Sequence, residues 1–197
     1  MKVGNQIRMT SDNKVSGISY VEKGTNLCRL PNGLICIGCC GFDFAKNLNS
    51  KQDFIKALVK STGEFSISKD VISFKKRYSP DDLHDCGLCR QLILKDLPLI
   101  KGDLIDSLSG LKYLPITCAL HPAENNGEEF RKGECDLDFM CETQKMFLEE
   151  WGDWTKNKFI KFVYSKDLDW FEYSKKMHDN SLVKEFFDIG IVSKYDE

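Results

Sequence analysis

The sequence predicts an α+β fold: an irregular, metal-stapled, cysteine-rich domain with short strands and a helical C-terminal part. Three observations predict it. Nine cysteines fall in clusters and stop at Cys141, leaving the last 56 residues without one. Between Cys28 and Cys141 the periodic stretches are short and interrupted by Pro80, Gly87, Gly102, Gly110, Pro115, Pro122, Gly127 and Gly133. Each piece therefore buries little apolar area, at about 25 cal/mol per Å². The tail, by contrast, carries Trp151, Trp154, Trp170, Phe171, Phe186 and Phe187, which is core material.

Taken in order, residues 1–23 read as a polar lead-in with a short strand around Ile18 and Tyr20. Asn49 or Ser50 caps a helix from Lys51 to about Thr62, where Phe54, Ile55, Leu58 and Val59 recur at helical spacing and Gly63 stops it. Phe65, Ile67, Val71, Ile72 and Phe74 look like a strand, broken at Ser79-Pro80. Leu92–Leu94 and Tyr113–Ile116 predict short buried strands around a helical piece, Gly102–Leu108. Asp136–Trp151 predicts a helix with Leu137, Met140, Cys141, Phe147, Leu148 and Trp151 on one stripe. Phe159–Tyr164 predicts a strand, Asp167 caps a helix to about His178, and Leu182–Phe187 continues helically. The domain reading is residues 1–23 as lead-in, 24–150 as the cysteine-cluster domain, and 151–197 as an aromatic helical part packed on it.

Composition narrows the function classes. A chain of 197 residues suits one domain. With 28 basic and 30 acidic residues, net −2, it lacks the basic surplus of a phosphate-driven nucleic-acid binder. No apolar run approaches about 18 residues, so no membrane helix is expected. Met1–Asn13 is polar without an apolar h-region, so no secretory signal is expected and the location reads as cytoplasmic. Nine cysteines in 197 residues fall below the about 8–10% of a disulfide scaffold. An odd, clustered set in that setting points to metal or redox chemistry.

The spacings sharpen the expectation. Cys36-Ile37-Gly38-Cys39 and Cys86-Gly87-Leu88-Cys89 are both C-x2-C, a gap that lets a tight turn present two thiolates to one ion. Cys118-Ala119-Leu120-His121 keeps the gap with one ligand exchanged, and Pro122 holds His121 out of a helix. Cys135 and Cys141 can share an ion only if Cys135 sits in the loop before the helix and Cys141 in its first turns, which Gly133 and an Asp136 cap allow. Adjacent Cys39 and Cys40 cannot both reach one mononuclear ion without strain, so one bonds elsewhere or stays free, unless a cluster or a two-metal site relaxes that objection. The candidate ligands are Cys36, Cys39, Cys40, Cys86, Cys89, Cys118, His121, Cys135 and Cys141, with Cys28 left aside. Their partner is zinc or an iron–sulfur cluster, since thiolate sites suit both. His84 and His178 read as surface and helix-end residues, and Lys75-Lys76-Arg77 as a solvated basic patch.

At Cys36-Ile37-Gly38-Cys39-Cys40-Gly41, and again at Cys118-Ala119-Leu120-His121-Pro122 followed by Asn126-Gly127, Arg131, Cys135 and Cys141, the chain resembles the YkgJ-like cysteine-cluster proteins. The resemblance spans roughly Cys28 to Cys141. It implies zinc or iron chelation and no particular reaction, so enzymatic activity is left open. The expectation is a metal-binding protein. The alternatives are an iron–sulfur electron-transfer protein and an interaction module with purely structural zinc.

Overall fold

The computed structural model describes residues 21, 24–40, 50–80, 82–95 and 104–190. The predicted lead-in strand at Ile18 and Tyr20, the Asn49 cap and Gly102 lie outside them. The described residues form an α+β fold: seven α-helices and a two-stranded antiparallel sheet. None of these helices is long and apolar enough to cross a membrane.

Helix α1 spans Lys51–Ser66. Ser50 caps it by accepting from the Asp53 amide, and the Asp53 carboxylate accepts from the Ser50 N–H at 2.9 Å. Gly63 does not end it; the helix continues one turn and Phe65 lies inside. Helix α2, Val71–Lys75, follows with Asp70 as its cap. The strand predicted over Phe65–Phe74 is thus two helix ends. Ile67 and Ile72 are both exposed, while Phe65 and Phe74, which a strand would place on opposite faces, meet edge-on at 5.1 Å.

Strand β1, Leu92–Leu94, pairs with β2, Ile116–Cys118, in the register Leu92↔Cys118 and Leu94↔Ile116. The second strand lies nearer Cys118 than predicted, so a cysteine belongs to the sheet itself. Helix α3, Leu104–Ser109, precedes it.

The helix predicted from Asp136 begins only at Glu142: α4 is Glu142–Lys145, with Cys141 at its N-cap. Asp136 bends the chain instead, its carboxylate accepting from the Asp138 amide at 3.0 Å, and Leu137, Phe139 and Met140 are exposed. After Lys145 the helix widens to a π-turn, Met146–Glu150, closed by the Trp151 amide on Met146 O. Helix α5, Asp153–Ser165, replaces the predicted Phe159–Tyr164 strand. Phe159, Ile160, Phe162 and Val163 are all buried, at i, i+1, i+3 and i+4, a helical stripe and not a sheet face. Helix α6, Trp170–His178, is capped by Asp169 rather than Asp167, whose φ is +53°. Helix α7, Ser181–Asp188, follows a left-handed Asn180.

Two main apolar cores result. One gathers Leu27, Leu30 and Leu34 with Phe147, Trp151, Phe159, Tyr173 and Phe186. The other joins Ile35 and Ile37 to α1, both strands, α3 and Trp170. The cysteine segment and the C-terminal helices therefore share a core.

Candidate functional site

A reversal at Leu30-Pro31-Asn32-Gly33 starts the site. The Gly33 amide bonds Leu30 O at 2.9 Å, and Gly33 takes φ +88°, a value glycine reaches without strain. The chain returns antiparallel, with Arg29 bridging Ile35 and the Cys36 amide on Cys28 O at 3.0 Å. Cys28 and Cys36, eight apart in sequence, become neighbours. A 3-10 turn over Gly38–Cys40 then carries Cys39 and Cys40.

Helix α6 shapes that turn. The Ser174 hydroxyl accepts from the Ile37 amide at 3.0 Å and donates to Trp170 O at 2.7 Å. His178 Nδ1 lies 3.2 Å from Gly38 O. A Cβ on Gly38 would stand 3.1 Å from Ser174 O and 3.2 Å from His178 Cβ, so a larger residue would crowd the helix against the turn. Leu27 is clamped on both sides: its amide donates to Gln144 Oε1 at 2.8 Å and its carbonyl accepts from Tyr173 Oη at 2.8 Å. The first of these bonds brings Cys28 to the helix that Cys141 begins.

Cys28, Cys36, Cys39 and Cys141 consequently act on one another, and we call them set A. Burial, then the Cys141 charge, pushes Cys28 up to about 11. Burial, opposed by the Gly38 amide and reinforced by Cys28 and Cys141, pushes Cys36 up to about 12. The Cys39 thiol donates to Cys141, which raises Cys39 strongly and makes Cys141 the more acidic partner of the pair. The Thr143 and Gln144 amides further favour the Cys141 thiolate, although neither closes a cap hydrogen bond on it.

Set B comprises Cys40, Cys89, Cys118 and Cys135. The Cys89 amide bonds Cys40 O at 2.8 Å, and Leu92 opposite Cys118 places the third thiol beside them. Cys135 ends a turn in which the Glu134 and Cys135 amides both bond Arg131 O. Lys75 ties that turn down by donating to Phe130 O and Lys132 O, each at 2.8 Å. Cys40 is raised by burial first, then by Cys89, Cys118, Cys36 and Cys135. Burial and then Cys89 and Cys135, opposed by the Leu120 amide, push Cys118 up to about 12. Cys89 rises by burial, with Cys135 and Glu134 adding to it. Cys36 and Cys141 pack on the first core; Cys40, Cys89 and Cys118 pack on the second.

Backbone amides face several of these sulfurs. Gly38 N lies 3.4 Å from Cys36 Sγ and Gln91 N lies 3.5 Å from Cys89 Sγ. The Leu120 amide acts likewise on Cys118. Each is the amide two residues after its cysteine, a donor that favours thiolate over thiol. Glu134 adds a carboxylate oxygen, Oε2, that is buried without a hydrogen-bond partner, while its Oε1 lies 3.4 Å from Lys75 Nζ.

The predicted ligands divide unevenly. Cys36 and Cys39 share a set, as their C-x2-C spacing implied, whereas Cys39 and Cys40 part. Cys135 precedes the helix and Cys141 begins it, yet they fall in different sets. Cys89 joins set B, but Cys86 is buried in the second core, where the charges acting on it are Asp53 and Asp85. His121 caps the Pro122–Glu124 turn, its Nδ1 accepting from the Ala123 amide at 3.1 Å, and its charged neighbours are Arg131 and Glu129. Cys28, set aside in the sequence reading, stands with Cys36; the Pro31-Asn32-Gly33 reversal was the signal that could have found it. His84 is buried, with Nε2 2.7 Å from Ser61 Oγ. All nine cysteines are free of disulfides, and among the described residues no three or more Cys, His, Asp or Glu side chains stand in a closed metal-holding arrangement. The thiols are gathered without being drawn to a common point.

Comparison with protein-family models, with curated proteins and with solved structures returns no match.

Proposed function

We propose that the protein binds thiophilic metal at two four-cysteine centres, set A and set B, each suited to zinc or an iron–sulfur cluster. The observation that supports this reading is geometric. The Cys36 amide on Cys28 O and the Leu27–Gln144 bond bring Cys28 and Cys36 to Cys141. The Cys89 amide on Cys40 O and the Leu92↔Cys118 pairing gather Cys40, Cys89 and Cys118. Cys39 acts with the first group and Cys135 on the second, and Cys36 also acts on Cys40 across the two. Four sulfurs are the donor number and chemistry of a tetrahedral thiolate site or of a cluster. Without a cation, four buried thiols cannot ionise together, because each thiolate raises the next. A bound cation reverses that electrostatics, and the amides behind Cys36, Cys89 and Cys118 then serve thiolates. The unpartnered Glu134 oxygen beside set B also favours positive charge there. The motif resemblance to the YkgJ-like cysteine-cluster proteins agrees with this reading, as does a reducing, cytoplasmic setting for nine free thiols.

Elemental analysis and native mass spectrometry of anaerobically purified protein test it. Zinc near two equivalents in a colourless sample supports two zinc centres. Iron with acid-labile sulfide in a brown sample supports clusters and the electron-transfer variant. A folded protein that takes up neither metal overturns the reading.

A further inference from the structure

We propose that Ser174, a buried hydroxyl on α6, is a positioning residue of set A: it holds the Cys36–Cys39 turn in the shape that presents both thiols. The inference rests on the two-centre reading above and concerns the turn geometry behind it.

Ser174 has no exposed surface; backbone fills two of its three hydrogen-bonding capacities, and its hydroxyl also acts on the Cys36 side chain. Its single proton goes to Trp170 O within its own helix, and that bond fixes the rotamer. One lone pair then accepts from the Ile37 amide at 3.0 Å. That amide belongs to the peptide joining Cys36 to Ile37, so the bond sets the plane from which the Cys36 side chain departs. The next amide, Gly38 N, is the one facing Cys36 Sγ at 3.4 Å. His178, one turn further along α6, meets Gly38 O, and the absent Gly38 side chain admits the helix backbone. The Cys36-Ile37-Gly38 segment is thus moulded on α6 at Ile37 and Gly38, from 137 and 140 residues away in sequence.

Removing the hydroxyl leaves the Ile37 amide, on a residue 2% exposed, without an acceptor. The peptide must turn to find another, and the Cys36 sulfur turns with it. Outer partners that orient ligands typically contribute 10–100-fold in metal affinity. The effect falls first on set A: Cys40 hangs on the same turn through its amide on Ile37 O, but the Cys89 amide on Cys40 O holds it from the set B side.

The test uses the full-length chain in two backgrounds: Cys89→Ser with Cys118→Ser, which leaves set A, and Cys28→Ser with Cys36→Ser, which leaves set B. Co²⁺ affinity is measured in each by chelator competition, read from the thiolate-to-cobalt charge-transfer band, with and without Ser174→Ala. Ser61→Ala, another fully buried serine, controls for lost stability, and helix content is followed by circular dichroism. The expected result is a 10–100-fold loss at set A with a shifted band, a clearly smaller loss at set B, and no change at either for Ser61→Ala. Equal losses at both sets, or a loss that tracks helix content and appears with Ser61→Ala, mean a merely structural role and overturn the proposal. So does an unchanged set A affinity. If Co²⁺ binds in neither background without the serine changes, the two-centre reading itself has failed.

Discussion

Cys39 and Cys40, joined by one peptide bond in the Gly38–Cys40 turn, face different cysteine sets: Cys39 donates to Cys141, while Cys40 lies with Cys89 and Cys118. The single-residue changes Cys39→Ser and Cys40→Ser should therefore each remove a different equivalent of metal. Native mass spectrometry should give one ion in each variant and none in the double variant. If Cys39→Ser alone abolishes both, the two sets form a single centre.

Cys28 and Cys86 should exchange the ranks that spacing alone assigns them. Cys28→Ser is expected to lower metal content by one equivalent, because Cys28 stands against Cys36 and Cys141. Cys86→Ser should keep both equivalents and lose about 1–3 kcal/mol of stability, the range for placing a hydroxyl in an apolar site. Metal content and urea midpoints measured on the same samples separate the two outcomes.

Gly38→Ala tests the fit between turn and helix. The added methyl would meet Ser174 O at 3.1 Å and His178 Cβ at 3.2 Å. Both are anchored, so the change should destabilise by about 1–3 kcal/mol. Gly63→Ala, inside α1 with open space around the site, should instead stabilise by about 0.5–1 kcal/mol. Thermal unfolding of the pair reads opposite signs.

His84 predicts a pH dependence. Burial, then the nearby Arg90 and Lys60 charges, holds its pKa down to about 4, against the ordinary 6.5. Between those values the unfolded chain binds a proton that the folded chain refuses. The full contribution of neutral His84 is therefore present above about pH 6.5 and is lost progressively as pH falls toward 4. The loss should be on the order of 2–3 kcal/mol. Urea unfolding of wild type and His84→Gln between pH 7.5 and 4.5 checks it: the difference between them should shrink as pH falls. Parallel curves would contradict the assignment.

Legibility in the sequence followed the range of the interactions. The Ser50 cap and the Leu92–Leu94 strand were readable because their determinants are local. The strands predicted at Phe65–Phe74 and Phe159–Tyr164 failed because short apolar runs fit both periods, and packing against distant helices chose the helical one. In the candidate site, clustering and the divergence of Cys39 from Cys40 were legible from strain at adjacent positions. The pairing was not. Which thiols meet depends on the Leu27 clamp by Gln144 and Tyr173, on Lys75 holding the Cys135 turn, and on α6 against Gly38. Those bonds link residues 55 to 146 apart, which no spacing rule encodes.

The distance between Gly38 and His178 also has a meaning in time. They lie 140 residues apart, and a ribosome adds about 5–20 residues per second. The Cys36–Cys40 segment therefore spends roughly 7 to 30 s outside or within the exit tunnel before the helix that moulds it exists. Throughout that interval its thiols are a nascent, unshaped cluster open to whatever metal or oxidant the cell offers first. On the two-centre proposal, set A takes its final shape only once α6 has emerged, so ion supply would matter after synthesis of α6 and not at synthesis of the ligands.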